Sequence, residues 1–363
     1  MSLGSRSPSL PLLPSAQKAL ETCGYCPKLC RSTCPVSNQE AREALIPWGK
    51  MSSSWLVARG DLEADRDTAE TSWGCSGCHA CTSFCEHKNP VADTLYAARA
   101  TYRDAGLAPS AVVESERRHG LRVGEAGNAL SELSREPGVR PDARTALLVG
   151  CAYLRKARPE ARAILRSVLA LVGPVRLVPG CCGAPLLHAG DHAGFEAARA
   201  RVVEATRGVH AFVVGDPGCA LVLTDARPLL FVQLVAAHAD ELAKIPGFGE
   251  SEAVRFHDPC ALGRGLSEYD APRVVLGRAL GRRVDEFDSQ RERAECSGGG
   301  GLLPISMPET SAGIAERRLA AHDRLGGGVL VTACASSLRR FRAQGERAVD
   351  IATVVEQSLG LKP

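Results

Sequence analysis

Up to about residue 106 the apolar residues recur every three or four positions, whereas beyond about residue 144 they gather into short runs separated by longer helical stretches. The first pattern predicts helices. Val91, Leu95, Ala98 and Tyr102 share one helical face, with Asn89-Pro90 ahead of them as cap and first-turn proline and Gly106 as the stop. Glu40 to Leu45 and Met51 to Arg59 have helical composition, broken by Pro47 and Gly49, and Gly60 closes the second. The later pattern predicts strands alternating with helices, the signature of a parallel sheet. Thr145 to Val149, Val175 to Val178 and Phe212 to Val214 read as buried strands around helices from Pro159 to Leu171 and from Phe195 to Thr206. The order then restarts with Val254 to Phe256, a helix from Pro272 to Leu280, Val284 to Phe287, a helix from Glu309 to Leu325 and Val329 to Thr332. Between the two patterns, residues 107–143 turn polar and carry Gly120, Gly124, Gly127, Pro137, Gly138 and Pro141, which reads as a linker.

The expected organisation is multidomain: an α-helical domain over residues 1–106 with a short N-terminal tail, a linker over 107–143, and two α/β repeats over 144–245 and 246–363. A chain of 363 residues is long enough for two or three separate cores. Its net charge of +3 is small, and apart from pairs such as Arg117-Arg118 and Arg339-Arg340 the basic residues are dispersed, which argues against nucleic acid. No stretch approaches the roughly eighteen apolar residues of a membrane span. The tail MSLGSRSPSLPLLPSAQ lacks the continuous apolar core of a signal peptide. The expected location is the cytoplasm, where thiols stay reduced and many cysteines imply metal or redox chemistry.

Cysteine supplies that chemistry. Eight of the fifteen cysteines fall in two tight runs, Cys23, Cys26, Cys30 and Cys34, then Cys75, Cys78, Cys81 and Cys85. In such runs three thiolates wrap one iron–sulfur cluster while the fourth reaches its neighbour. The spacing therefore predicts two 4Fe–4S clusters with crossed ligands, one on Cys23, Cys26, Cys30 and Cys85, the other on Cys75, Cys78, Cys81 and Cys34. The second run has ferredoxin spacing but Glu86 in place of the trailing proline; the first has Pro35 but one extra residue before Cys30. Two zinc ions or a disulfide set are the rival readings, and zinc has no need of four cysteines in so short a run. Forty residues separate Cys34 from Cys75, far more than a compact ferredoxin leaves between its runs, and they read as helix.

The other seven cysteines mark the repeats. Cys151, Cys181-Cys182-Gly183 and Cys219 each follow a strand of the first, and Cys260, Glu295-Cys296-Ser297 and Cys334 follow strands of the second. Loops at the carboxyl ends of parallel strands gather along one edge, where ligands bind. A lone buried cysteine is often just a small hydrophobe; seven at matching strand ends are a pattern.

The two N-terminal runs followed by paired cysteine repeats, with His257-Asp258-Pro259-Cys260-Ala261-Leu262-Gly263-Arg264 and Tyr269-Asp270-Ala271-Pro272-Arg273 opening the second repeat, resemble the iron–sulfur subunits of the heterodisulfide reductase and glycolate oxidase type. The resemblance implies an α-helical dicluster ferredoxin domain and two Rossmann-like, parallel-sheet CCG domains, each with five cysteines ending in C-x2-C. In catalytic members each set holds a non-cubane cluster that cleaves a disulfide. Here Val222 stands where the resemblance puts the last ligand of the first repeat, and Glu295 and Ser337 replace two ligands of the second. Cys151, Cys181, Cys182 and Cys219 suffice for a third cluster, while Cys260, Glu295, Cys296 and Cys334 hold a cluster, a zinc ion or nothing. The run Gly298 to Gly301 has no following lysine and no G-x-G-x-x-G pattern, so it reads as a close backbone approach to a metal site and not as a phosphate loop. His188 and His192 read as surface loop positions. His257 reads either as a group that orders a ligand or as a partner of a nearby carbonyl.

With no flavin or nicotinamide fingerprint, hydride chemistry belongs to a partner. The leading expectation is an electron-transfer subunit relaying single electrons between a flavoprotein oxidoreductase or a quinone-linked membrane subunit and the repeat domain. It would be cytoplasmic, or held at the inner face of a membrane through that partner. The alternatives are a heterodisulfide or thiol reductase acting at a repeat cluster, and a scaffold whose metals are purely structural.

Overall fold

The structure is a computed structural model that describes residues 14–361; the N-terminal tail read above lies largely outside the described residues. The chain divides into two compact units. The first takes residues up to Arg118 together with Pro185–Gly194 and Gly298–Ile314; the second takes His119–Ala184, Phe195–Ser297 and Ala315 onward. Two short segments of the repeats therefore belong to the first unit, where the sequence reading has consecutive domains.

The regular structure of the first unit is helical among its described residues. Its main helices are Pro14–Gly24, Pro35–Glu40, Pro47–Ala58, Arg66–Trp73, Ala80–Phe84, Val91–Asp104 and Ser110–Arg117. Leu20, Met51, Val57, Trp73, Leu95 and Tyr102 bury the apolar faces among them. Pro47 opens a helix where the sequence reading has it break one, because at the first helical position its missing N–H has no partner to lose. Gly49 lets that helix lie against the backbone of Glu43 and Ala44 in the preceding 3-10 turn. Asn89 does not cap its helix as expected; its amide donates to Cys23 Sγ at 2.9 Å and to the Ala19 carbonyl at 2.8 Å.

The second unit holds two parallel sheets. In the first, strands β1 (Thr145–Leu148), β2 (Val175–Leu177), β3 (Ala211–Val214) and β4 (Leu229–Leu230) lie in the order β2-β1-β3-β4. In the second, β5 (Val254–Phe256), β6 (Val329–Thr332) and β7 (Val349–Asp350) lie in the order β5-β6-β7. All neighbours run parallel, and the strands are nearly all apolar because helices cover them. Val284 to Phe287 makes only an isolated bridge, Asp285 to Arg255, since the Asp285 side chain takes the Val254 N–H at 2.8 Å. Much of the expected linker is helix. Besides Ser110–Arg117, a helix runs His119–Leu133, with Ala126, Ala129, Leu130 and Leu133 buried at helical spacing while Gly120, Gly124 and Gly127 meet nothing. A glycine costs a helix only about 1 kcal/mol against alanine. The buried stripe outweighs that cost.

Candidate metal centres

Cys23 closes the helix Pro14–Gly24, and the turn after it presents Cys26 and Cys30. Burial pushes the Cys23 thiol up to about 12; the Asn89 amide opposes this, and the charges of Cys30, Cys26 and Cys85 add to it. Burial likewise raises Cys30, followed by Cys26 and, less strongly, Cys85. The three sulfurs of the first run are thus joined by Cys85, the last of the second run.

Cys34, Cys75, Cys78 and Cys81 line a common pocket with Lys50. Burial, then the charges of Cys78, Cys75 and Cys34, raise Cys81 well above an ordinary thiol. The Cys75-Ser76-Gly77-Cys78 turn needs glycine at Gly77, whose φ is 63° and where a side chain would strike the Tyr96 hydroxyl. Its N–H donates to Cys75 Sγ at 3.4 Å. The Lys50 ammonium donates to Cys34 Sγ at 3.4 Å. Burial works against that charge, but Cys34, Cys75 and Cys81 overcome it and raise the lysine pKa.

Arg99, also fully buried, donates to the carbonyls of Ser72, Cys75, His188 and Gly301 at 2.8–3.0 Å. Gly300 and Gly301 press against the backbone of Ser76 and Cys75, so no side chain fits at either. The glycine run does make a close approach, to the second set of the helical unit. His188 is no surface loop residue: it lies in the helix Ala184–Ala189, 4.7 Å from the Tyr96 ring, and burial with Arg99 and His79 nearby lowers its pKa to about 3. His192 opens the next helix.

In the first repeat Cys151 Sγ stands 3.7 Å from Cys181 Sγ. The Cys182 thiol forms hydrogen bonds with both Cys181 and Cys219. Hydrogen bonds from Cys151 and Cys182, with help from His119 and the Gly183 N–H, lower the Cys181 thiol below its ordinary range against the opposing effect of burial. His119 and Arg122 come from the helix that replaces the expected linker, and Arg122 feels the charges of Cys151 and Cys181. Sequence reasoning missed both. Their i, i+3 spacing is a signal only once that segment is known to be helical.

The strand ends correct the alignment of the two repeats. Asp216 caps the helix Pro217–Leu221 two residues after β3, and Cys334 caps the helix Ala335–Ala343 two residues after β6. Asp216 and Cys334 are therefore equivalent, as are Cys219 and Ser337. The first repeat ends in Asp-x2-Cys and the second in Cys-x2-Ser, so Asp216, not Val222, takes the place of the missing cysteine. Asp216 Oδ1 accepts from the Gly218 N–H at 2.8 Å, while Oδ2 is buried without a hydrogen-bond partner.

The second repeat is built differently around Cys260, Glu295, Cys296 and Cys334. Ser337 Oγ pairs with Ser297 Oγ at 2.9 Å, both buried. Glu295 lends its charge to the buried Arg318, whose Nε meets His257 Nδ1 at 3.3 Å. His257 is thus paired with an arginine, not with a carbonyl or a cysteine. Burial pushes Cys334 up to about 12, with the charges of Asp216 and then Asp350 reinforcing it.

Four thiols in each set of the helical unit, with an ammonium waiting on one of them, suit an anionic iron–sulfur cluster. The four neighbouring thiols of the first repeat suit it as well. The second repeat offers fewer thiols: one position carries serine, and one carries a glutamate whose charge acts on the buried Arg318. Among the described residues no three His, Cys, Asp or Glu side chains converge tightly enough to grip a single metal ion.

Comparison with known proteins agrees with this architecture. A 4Fe-4S dicluster domain matches residues 19–89, and a cysteine-rich domain, CCG, matches twice, over 145–224 and 254–339. The chain belongs to the iron–sulfur proteins that join a dicluster ferredoxin domain to two CCG domains. It is 23% identical over 378 aligned positions to a subunit of the dihydromethanophenazine:CoB–CoM heterodisulfide reductase of Methanosarcina mazei, covering 93% of this chain and 91% of that protein. It is 24% identical over 320 positions to a subunit of the fumarate reductase (CoM/CoB) of Methanothermobacter marburgensis, covering 84% of this chain but only 64% of that longer relative. A hypothetical protein from Helicobacter pylori shares the fold, with a TM-score of 0.59 at 12% identity over 97% of this chain and 76% of that one. No helix among the described residues is long and apolar enough to cross a membrane.

Proposed function

We propose that this chain is the iron–sulfur electron-transfer subunit of a reductase complex, with two 4Fe–4S clusters in its helical unit and a third at the first repeat. The observation that carries the reading is the crossed grouping of sulfurs, Cys85 with Cys23, Cys26 and Cys30, and Cys34 with Cys75, Cys78 and Cys81. Clusters bound there supply one-electron transfer without proton or atom exchange. The chain's own residues hold the sulfurs at fixed positions: Gly77 shapes one loop, Asn89 and Lys50 donate to ligand sulfurs, and the Gly300-Gly301 backbone closes over Cys75. The partner is a flavoprotein oxidoreductase or a quinone-linked membrane subunit, and the location is the cytoplasm or the inner face of a membrane through that partner.

The name of the M. mazei relative favours a second reading, a heterodisulfide or thiol reductase acting at the first repeat. Against it, Asp216 stands where catalytic members of the family carry a cysteine. Two measurements separate the readings. Cys34→Ser should abolish the spectroscopic signal of the cluster on Cys75, Cys78 and Cys81, and Cys30→Ser that of the other; loss of one and the same signal by both overturns the crossed assignment. Disulfide turnover with an artificial electron donor should be absent, and its presence would favour the reductase.

A further inference from the structure

The two cysteine sets of the helical unit differ in the charge set against them. Cys23 is met by the neutral amide of Asn89 at 2.9 Å. Cys34 is met by the ammonium of Lys50 at 3.4 Å, on a side chain only 1% exposed. Behind it, the equally buried Arg99 spends its hydrogen bonds on neutral carbonyls, among them that of Cys75. Both cations act on Cys75. A buried charge without a counter-charge is costly, so two cations placed here require an anion at the same spot. The ligand sulfurs are the groups placed to supply it.

From this geometry we infer that Lys50, supported by Arg99, raises the reduction potential of the cluster held by Cys34, Cys75, Cys78 and Cys81. The inference rests on the reading that this set holds a cluster. Reduction adds one negative charge to the bound group, and a full positive charge in contact with a ligand sulfur stabilises the reduced form more than the oxidised one. Burial keeps water from screening that effect. Asn89 offers the other set only a dipole. Lys50 is therefore a residue that sets a potential without itself binding iron.

The test is a potentiometric titration of the full-length protein, followed by electron paramagnetic resonance, with iron and sulfide measured on each sample. In Lys50→Met the one-electron equilibrium of this cluster should move toward the oxidised form by about tenfold or more, a negative shift of about 59 mV or more. The signal of the Cys23 set should stay in place. Lys50→Arg, which keeps the charge, should restore most of the shift. An unchanged potential in Lys50→Met with full iron content overturns the inference, as does an equal shift in both clusters. If Lys50→Met loses the iron of this set, Lys50→Gln is titrated instead: a potential like that of the unmodified protein overturns the inference, and a negative shift supports it. Absence of iron and sulfide from the unmodified protein would overturn the cluster reading itself, a different result from any of these.

Discussion

In the first repeat Cys151, Cys181, Cys182 and Cys219 form a continuous chain of sulfur contacts, whereas the matching positions of the second repeat are Cys260, Glu295, Cys296 and Ser337. The backbone around them is alike, a parallel sheet whose strands run into helix N-termini at one edge. The sheets differ in strand number, four against three, and the side chains at their edges differ as well: Ser337 is satisfied by Ser297, and the charge of Glu295 acts on the buried Arg318. The comparison teaches that one kind of sheet edge can carry either a connected set of thiols or ordinary polar contacts. In the first repeat the thiols still depend on one another, with hydrogen bonds from Cys151 and Cys182 lowering Cys181.

The largest effect expected from this difference lies at the next helix cap. Leu230 caps the helix after β4, while Asp350, its counterpart after β7, is buried and accepts from the Tyr153 hydroxyl at 2.7 Å and the Ala352 N–H at 2.9 Å. Burial, reinforced by Glu160 and Asp216, pushes the Asp350 carboxyl up to about 7. In the unfolded chain it titrates near 3.9. Its folded pKa is the raised one, so its contribution to stability is complete below about pH 4 and is lost as pH rises through about 7. Asp350→Asn keeps the neutral acceptor. Its stability relative to the unmodified protein should therefore grow across that window, reaching about 4 kcal/mol above pH 7, as read by urea denaturation. A gain independent of pH would show that the carboxyl is not held protonated.

A smaller effect belongs to the serine pair. Ser337→Ala leaves Ser297 Oγ buried without its partner and should cost about 1–3 kcal/mol, read the same way. A cost near zero would mean that the Ser297–Ser337 contact does not replace what sulfur does in the first repeat.

Much of this was legible in the sequence. The spacing of the eight N-terminal cysteines is what suggests the proposed crossed sets, and the strands β1, β3, β5 and β6 stand out as apolar runs. The two-residue strands β4 and β7 are too short to show a period. Helix His119–Leu133 was hidden because its glycines face open space, and with it went His119 and Arg122. Asp216 was missed for a different reason. Counting from Cys219 pairs it with Cys334, and only the strand ends show that the count is three residues out of register. Lys50 and Arg99 gave no signal, since a basic residue in a helix usually faces water.

The central claim is that the first repeat binds a cluster and the second does not. It is tested most directly by iron and sulfide analysis of the full-length protein prepared without oxygen, alongside Cys182→Ala and Cys296→Ala, which remove equivalent cysteines from the two repeats. The unmodified protein should contain about twelve irons and Cys182→Ala about eight, with no change in Cys296→Ala. Unchanged iron in Cys182→Ala, or a loss of about four irons in Cys296→Ala, would contradict it.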